Sequence, residues 1–351
     1  MVERRQFTLV LGGGGMRGLA HAGVMRALEE ADFLPRQLVG SSVGALVAAA
    51  WCAGVSGVEM TRIAHELQRD DLFQIAHRDM AFKRMRSPAL FRHGPIANFV
   101  QGLLGDLTFD DLDRRLVVNT VDINTGTQVL WGLPGLTDIR VADAVLASCA
   151  LPGFLRPHRI RERYFVDGAA AANLPVGVAG TDHDDLVIAV DVGGRGRARS
   201  GMERTGFASV YARAIEIGIQ RMEDAALREW ARPPLLLLRP RVWHVPLLSF
   251  SHNDALVEAG YRVAHLAVAD GAVLPPPDGS GVHPRRRHAV RVERSLCVGC
   301  GACVRAGPPG QFALDAEGKA YAVVPEPIWS PVDGMCVGLC PTSAIIADPK
   351  D

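Results

Sequence analysis

The chemistry-bearing residues of this 351-residue chain gather in two places. Toward the start, "GGGMRG" (residues 13–18) carries Gly13, Gly14, Gly15, Arg17 and Gly18, and "GSSVG" (residues 40–44) sets Ser42 between glycines. Toward the end, Cys297, Cys300 and Cys303 stand at C-x2-C-x2-C spacing, and Cys336 and Cys340 precede Pro341. G-x-S-x-G between a strand and a helix is the pattern of a sharp turn that presents a hydroxyl beside the positive end of a helix. A serine that attacks an ester also needs donors aimed at the developing oxyanion. Consecutive N–H groups of Gly13, Gly14 and Gly15 at a helix start provide them, with Arg17 adding positive charge or bracing the loop.

Two other readings of the glycine loop fit less well. Gly13, Gly15 and Gly18 satisfy the dinucleotide pattern G-x-G-x-x-G, but the next strand, "QLVGSS", ends without the acidic residue that binds ribose. A phosphate-binding Walker loop requires Lys and then Ser or Thr, where this chain has Leu19 and Ala20. Attack by Ser42 also needs a base. His158, His183, His244 and His252 are available, none of them in a recognisable loop motif. Asp167, in "YFVDGAAAANLP", ends a short strand in a turn, and an Asp-Gly pair usually serves only the turn.

The elements that must position these groups alternate between strand and helix patterns. "FTLVL" precedes the glycine loop, a helical pattern runs over residues 18–31, "QLVG" precedes Ser42, and a second helix starts at Val43. "RLVVNTVDI" and "TQVLW" are joined by Asn124, Thr125 and Gly126 as a hairpin, and "DLVIAV" and "PLLLL" read as further strands. Residues 78–105 mix Lys83, Arg84, Arg86 and Arg92 with Met85, Leu90, Phe91 and Phe99. They read as a solvated helical insertion, with a cover or a membrane-touching patch as the alternative. "LPPPDGSGVHPRRR" (residues 274–287) loses apolar periodicity and marks a linker over residues 276–287. The expected units are residues 1–275 and 288–351.

Composition narrows the function classes. With 38 Lys plus Arg against 38 Asp plus Glu, no net field draws the chain to nucleic acid or anionic lipid, so membrane contact must be local and transient. Arg4 and Arg5 precede only a short apolar run without a cleavage site, and no run approaches a membrane span, so a cytoplasmic location is expected. Cys52 and Cys149, alone in apolar helical stretches, read as core residues.

Taken together and in order, "GGGMRG", "GSSVG" and "DGA" (residues 167–169), with "VDINTGTQVLW" and "ASCALPGFLRP" between, resemble the patatin-like phospholipase family over roughly the first 275 residues. The resemblance implies a three-layer α/β/α fold, a lipid acyl ester as substrate, and a Ser-Asp dyad without histidine. Ser42 is then the nucleophile and Asp167 the base.

Three cysteines within seven residues, followed by Cys-Pro, point to iron and sulfide rather than zinc. Residues 288–351 resemble a bacterial-type ferredoxin domain, a small α+β fold. Against the family's two runs, Gly307 replaces one fourth cysteine, and Ser330 and Asp333 replace the first two of the second run. One 4Fe-4S cluster on Cys297, Cys300, Cys303 and Cys340 is implied, with Cys336 left over. The cluster's role divides between stapling or docking and redox regulation with a redox partner. The alternative function is a redox-sensing or electron-transfer protein whose first domain only binds lipid or acyl groups.

Overall fold

Side-chain alternation along the central strands builds the molecule, because successive residues of a strand point to opposite faces. The computed structural model describes residues 6–74, 90–179, 184–193, 201–269, 274–276 and 279–350. In order along the chain, the strands of the main sheet are β1 (Phe7–Leu11), β2 (Gln37–Ser41), β3 (Arg115–Asp122), β4 (Gln128–Trp131), β5 (His158–Ile160), β6 (Arg163–Asp167), β7 (Leu186–Val190), β8 (Leu235–Leu238) and β9 (Val282–His283). They lie in the order β5-β6-β3-β2-β1-β7-β8-β9, with β4 beside β3. The pairs from β3 through β2, β1, β7 and β8 to β9 are parallel, whereas β4 and β6 run antiparallel to β3.

Phe7, Leu9 and Leu11 of β1, Leu38 of β2, Leu116 and Val118 of β3, and Ile188 and Val190 of β7 face one core. Their neighbours Val10, Val39, Val117, Val187 and Ala189 face the other. Runs that are apolar throughout are what a sheet covered on both faces demands. The helices are α1 (Ala20–Glu30), α2 (Val43–Cys52), α3 (Gly57–Glu66), α4 (Arg69–Leu72), α5 (Gly94–Leu104), α6 (Val141–Ser148), α7 (Ala169–Ala172), α8 (Phe207–Glu229), α9 (Asn253–Ala269) and α10 (Ala302–Ala306). Residues of α1, α2, α3, α5, α6 and α9 pack into the first core. Leu174 and Val176 after α7, and Leu227 of α8, fill the second, which makes three layers. No helix among the described residues is long and apolar enough to cross a membrane.

Two stretches differ from the sequence reading. Residues 276–287 are not a bare tether, since Val282–His283 adds an edge strand to the main sheet and Arg286 already begins β10 (Arg286–Val292). Lys83, Arg84, Met85 and Arg86 lie outside the described residues, but the end of their segment is core rather than solvated insertion. Phe91 is buried, and its ring contacts those of Phe73 and Phe154.

The C-terminal residues form β11 (Phe312–Leu314), β12 (Ala320–Ala322), β13 (Ile328–Trp329) and β14 (Ile345–Pro349). The order β13-β10-β14 makes one small sheet and β11-β12 another. Val290, Phe312, Trp329, Cys336 and Ile345 give it a core of its own. It also lends Met335, from the 3-10 turn Asp333–Leu339, and the neighbouring Val332 to the second core of the main sheet.

The tightest helix crossing is α1 on α9. A Cβ on Gly260 would run into the Ala20 carbonyl, and one on Gly23 into the Val257 carbonyl and to 2.6 Å from the Tyr261 nitrogen. An alanine inside a helix ordinarily stabilises it by about 1 kcal/mol over glycine. Gly260→Ala is expected to do the opposite, lowering stability by about 1–3 kcal/mol through overpacking, as read from a urea or thermal melt.

Candidate active site

Ser42 occupies the single residue between β2 and α2 and takes φ 55°, ψ −130°, a region that β-carbon sterics disfavour. The strain falls on the serine itself. Gly40 and Gly44, flanking it, do not have positive φ, and they are glycines for want of room. A Cβ on Gly40 would press on the Ala45 backbone and one on Gly44 on the Leu11 carbonyl. The turn is held from outside. The Ser42 N–H donates to Ser148 Oγ at 2.8 Å, and the Ser148 hydroxyl donates in turn to the Asn119 carbonyl at 2.7 Å.

Asp167, at the end of β6, is almost wholly buried; it accepts a hydrogen bond from the Ala169 N–H at 2.9 Å, and the nearby Ser42 hydroxyl also favours its charged form. Burial disfavours the carboxylate and pushes its pKa up to about 6, against the lowering effect of those two donors. β3 brings the two groups together. Its Asn119 is in register with Ser41, next to Ser42, and its Thr120 with Asp167.

The glycine loop lies against this pair. A Cβ on Gly13 would collide with the Asn173 side-chain oxygen and stand 3.1 Å from Ser42 Cβ. Gly13 and Asn173 clasp each other: the Gly13 N–H donates to the Asn173 carbonyl at 3.0 Å, and Asn173 Nδ2 donates to the Gly13 carbonyl at 3.2 Å. The Gly13 N–H is therefore spent, which removes it from the set of donors expected to face an oxyanion. Among the described residues the N–H groups of Gly14 and Gly15, at the start of the 3-10 turn Gly15–Leu19, have no acceptor. Arg17 braces the loop. Its buried guanidinium donates from Nε to the Val245 carbonyl and from Nη1 to the Gly193 carbonyl, each at 2.7 Å.

Sequence reading missed His21, Asn119, Ser148 and Asn173. His21 is fully buried, and its Nε2 lies 2.8 Å from the Gly12 carbonyl, which can only accept, so Nε2 carries the proton. Burial pushes its pKa down to about 4, and the ring stays neutral while fixing the carbonyl that precedes the loop. A polar side chain within the otherwise apolar "GLAHAGV" was the available signal. Of the histidines proposed from sequence, His158 pairs with Asp143 at 3.0 Å, and His252 contacts Ser249 and Ser251. His244 meets the Trp243 ring, and His183 lies outside the described residues. No described histidine partners Ser42 or Asp167. Cys149 is held protonated by burial and by the charge of Asp167, and Cys52, in the core, is pushed up to about 12 by burial.

In the C-terminal unit Cys297, Cys300, Cys303 and Cys340 line one small cavity, whose wall also includes Val292, Ala320, Ala344 and Ile345. Backbone N–H groups donate to two of the sulfurs, from Ala320 to Cys297 at 3.3 Å and from Ala344 to Cys340 at 3.2 Å. At Cys340 such backbone donors outweigh burial and lower the thiol pKa. Cys336 is buried in the adjoining core, does not line the cavity, and has its thiol pushed up to about 11 by burial. No group of three or more His, Cys, Asp or Glu among the described residues is placed to hold a lone metal ion.

The Patatin-like phospholipase family matches residues 9–179. An NTE family protein of Mycobacterium tuberculosis is 29% identical over 292 residues, covering 76% of this chain and 47% of its own length. A cGAMP-activated phospholipase of Escherichia coli is 26% identical over 188 residues, covering 48% of this chain and 52% of its own. The chain thus spans about half the length of these two curated relatives. The crystal structure of VipD from Legionella pneumophila aligns at a TM-score of 0.42 with 13% identity, covering 76% of this chain and 67% of that one. The matched segment, residues 9–179, holds the glycine loop, Ser42 and Asp167.

Proposed function

We propose that the chain is a serine-dependent lipid acyl hydrolase. The observation that carries this reading is the strained Ser42 beside a buried Asp167 whose pKa is raised. An ordinary aspartate, with a pKa near 4, is too weak a base to take a serine proton efficiently, and one near 6 is better matched. Ser42 Oγ attacks the acyl carbon and its proton passes to Asp167. The carbonyl oxygen becomes an oxyanion received by the N–H groups of Gly14 and Gly15. The bond to the leaving alcohol then breaks, and the alcohol takes the proton from Asp167. Water attacks the acyl-serine, Asp167 accepts its proton, and the carboxylic acid departs with Ser42 restored. The substrate is a lipid acyl ester, met in transient contact with a membrane surface, and the reaction runs in the cytoplasm.

The same reading gives the C-terminal unit one 4Fe-4S cluster on Cys297, Cys300, Cys303 and Cys340. Four sulfurs around one cavity, with amide donors on two of them, suit a group in which each iron takes one thiolate, and that arrangement does not require the sulfurs to converge on a single ion. When bound, the cluster supplies one-electron chemistry toward a redox partner and cross-links a unit with a small core.

Three results are expected. A fluorophosphonate probe adds once to the wild type, as read by intact mass, whereas Ser42→Ala takes no adduct and Asp167→Asn reacts about 10³-fold or more slowly. A wild type that takes no adduct would remove the hydrolase reading. Asp167 must be ionised to act, so kcat/KM for a soluble ester rises with pH through an acid limb with its midpoint near 6, and Asp167→Asn lacks that limb. Anaerobically purified protein contains about four irons and four sulfides per chain. Cys297→Ala, Cys303→Ala and Cys340→Ala lose the visible absorbance of the cluster, and Cys336→Ala keeps it.

A further inference from the structure

Asn119 and Ser148 are both fully buried and polar, and the sequence patterns that contain them gave neither a role. Ser148 closes α6, and its hydroxyl is the acceptor for the Ser42 N–H. That N–H needs an acceptor from elsewhere, because Ser42 at φ 55° leaves the strand ladder before α2 has begun. The hydroxyl has one proton, and it is committed to the Asn119 carbonyl. Its lone pairs are thereby fixed toward Ser42.

The side chain of the same asparagine holds the other half of the site. Asn119 Nδ2 donates to the Gly168 carbonyl at 3.0 Å and to the Ala172 carbonyl at 2.8 Å, the two ends of the short turn that follows Asp167. Gln128 Nε2 donates to Asn119 Oδ1 at 2.8 Å, which sets the orientation of the amide. A Cβ at Gly168 would strike the Asn119 carbonyl, so that loop is pressed against this residue as well as bonded to it.

We infer that Asn119 and Ser148 are positioning residues that reference Ser42 and Asp167 to one point on β3, Ser148 holding the nucleophile's turn and the Asn119 amide holding the base's loop. The inference rests on the hydrolase reading above. Neither residue touches a reacting atom, and both act through the distance and angle between the Ser42 hydroxyl and the Asp167 carboxylate. A misplacement of about 1 Å in such a pair costs on the order of 10²-fold in rate.

The test is steady-state hydrolysis of a soluble p-nitrophenyl ester, with rates normalised to the fraction of chains that a fluorophosphonate labels at completion, so that misfolded protein does not count. Ser148→Ala is expected to lower kcat about 10–100-fold with KM within about twofold of wild type. It should also move the acid limb to higher pH, because a loosened Ser42 hydroxyl no longer stabilises the Asp167 carboxylate. Ser148→Thr, which keeps the hydroxyl, restores most of the rate. Ser148→Cys, which keeps the volume but replaces the oxygen with a weak acceptor, does not. Asn119→Ala retains the main-chain acceptor for Ser148 and loses the loop bonds along with those to Gln128 and the Ser41 hydroxyl, and a comparable fall in kcat is expected. Values for Ser148→Ala and Ser148→Cys within about twofold of wild type in kcat and an unmoved acid limb would overturn the inference while leaving the hydrolase reading intact. A wild type that neither labels on Ser42 nor hydrolyses esters would overturn both.

Discussion

A carboxylate without water is the constraint around which this site is organised. Asp167 sits at the end of β6 with almost no exposed surface, and among the described residues the Ala169 N–H and the nearby Ser42 hydroxyl are what replaces the solvent its ionised form has lost. Burying a charge with so few partners is costly. The cost is the source of the group's basicity. A better-solvated aspartate would be more stable and a poorer proton acceptor, so the same packing that strains the fold equips the site.

Ser42 carries a second local cost, a positive φ at a residue with a side chain, which is of order 1–3 kcal/mol. Its surroundings leave it little alternative. Gly13, Gly40 and Gly44 bring the glycine loop, β2 and β1 too close for any side chain to intervene, and Ser148 receives the displaced N–H. The parallel strands from β3 to β8, with apolar residues sorted to two faces, supply the stability that tolerates both costs.

The central strands, the hairpin at residues 124–126 and the first helices were legible because each rests on a local signal: an apolar run, a turn residue, a helix start. The same holds for the position of Ser42, since G-x-S-x-G is a short-range pattern. What sequence spacing cannot show is where a backbone group is already engaged. Gly13 was expected among the oxyanion donors, yet its N–H belongs to Asn173, 160 positions further along the chain. Asn119, Ser148 and His21 escaped for a related reason. A buried polar residue makes its bonds to partners distant in sequence, and inside a strand or helix it looks like any other polar residue. The tail shows the opposite balance. Cysteine spacing singled out the four sulfurs that line one cavity, while the edge strand Val282–His283 was hidden in a stretch rich in Pro, Gly and Arg.

Met335 gives the two ends of the chain a shared fate. It projects from the turn that carries Cys336 into the core beneath β1, β2 and β7, where it meets the same apolar cluster as Leu174 and Val176, just past the Asp167 loop. The ribosome delivers the strands of the main sheet well before it delivers this side chain, and domains generally fold as they emerge. Until the cysteine-bearing segment has been made, that face of the main sheet lacks this side chain. The cysteine-bearing turn and the sheet that carries Ser42 and Asp167 are thereby sealed by one and the same core.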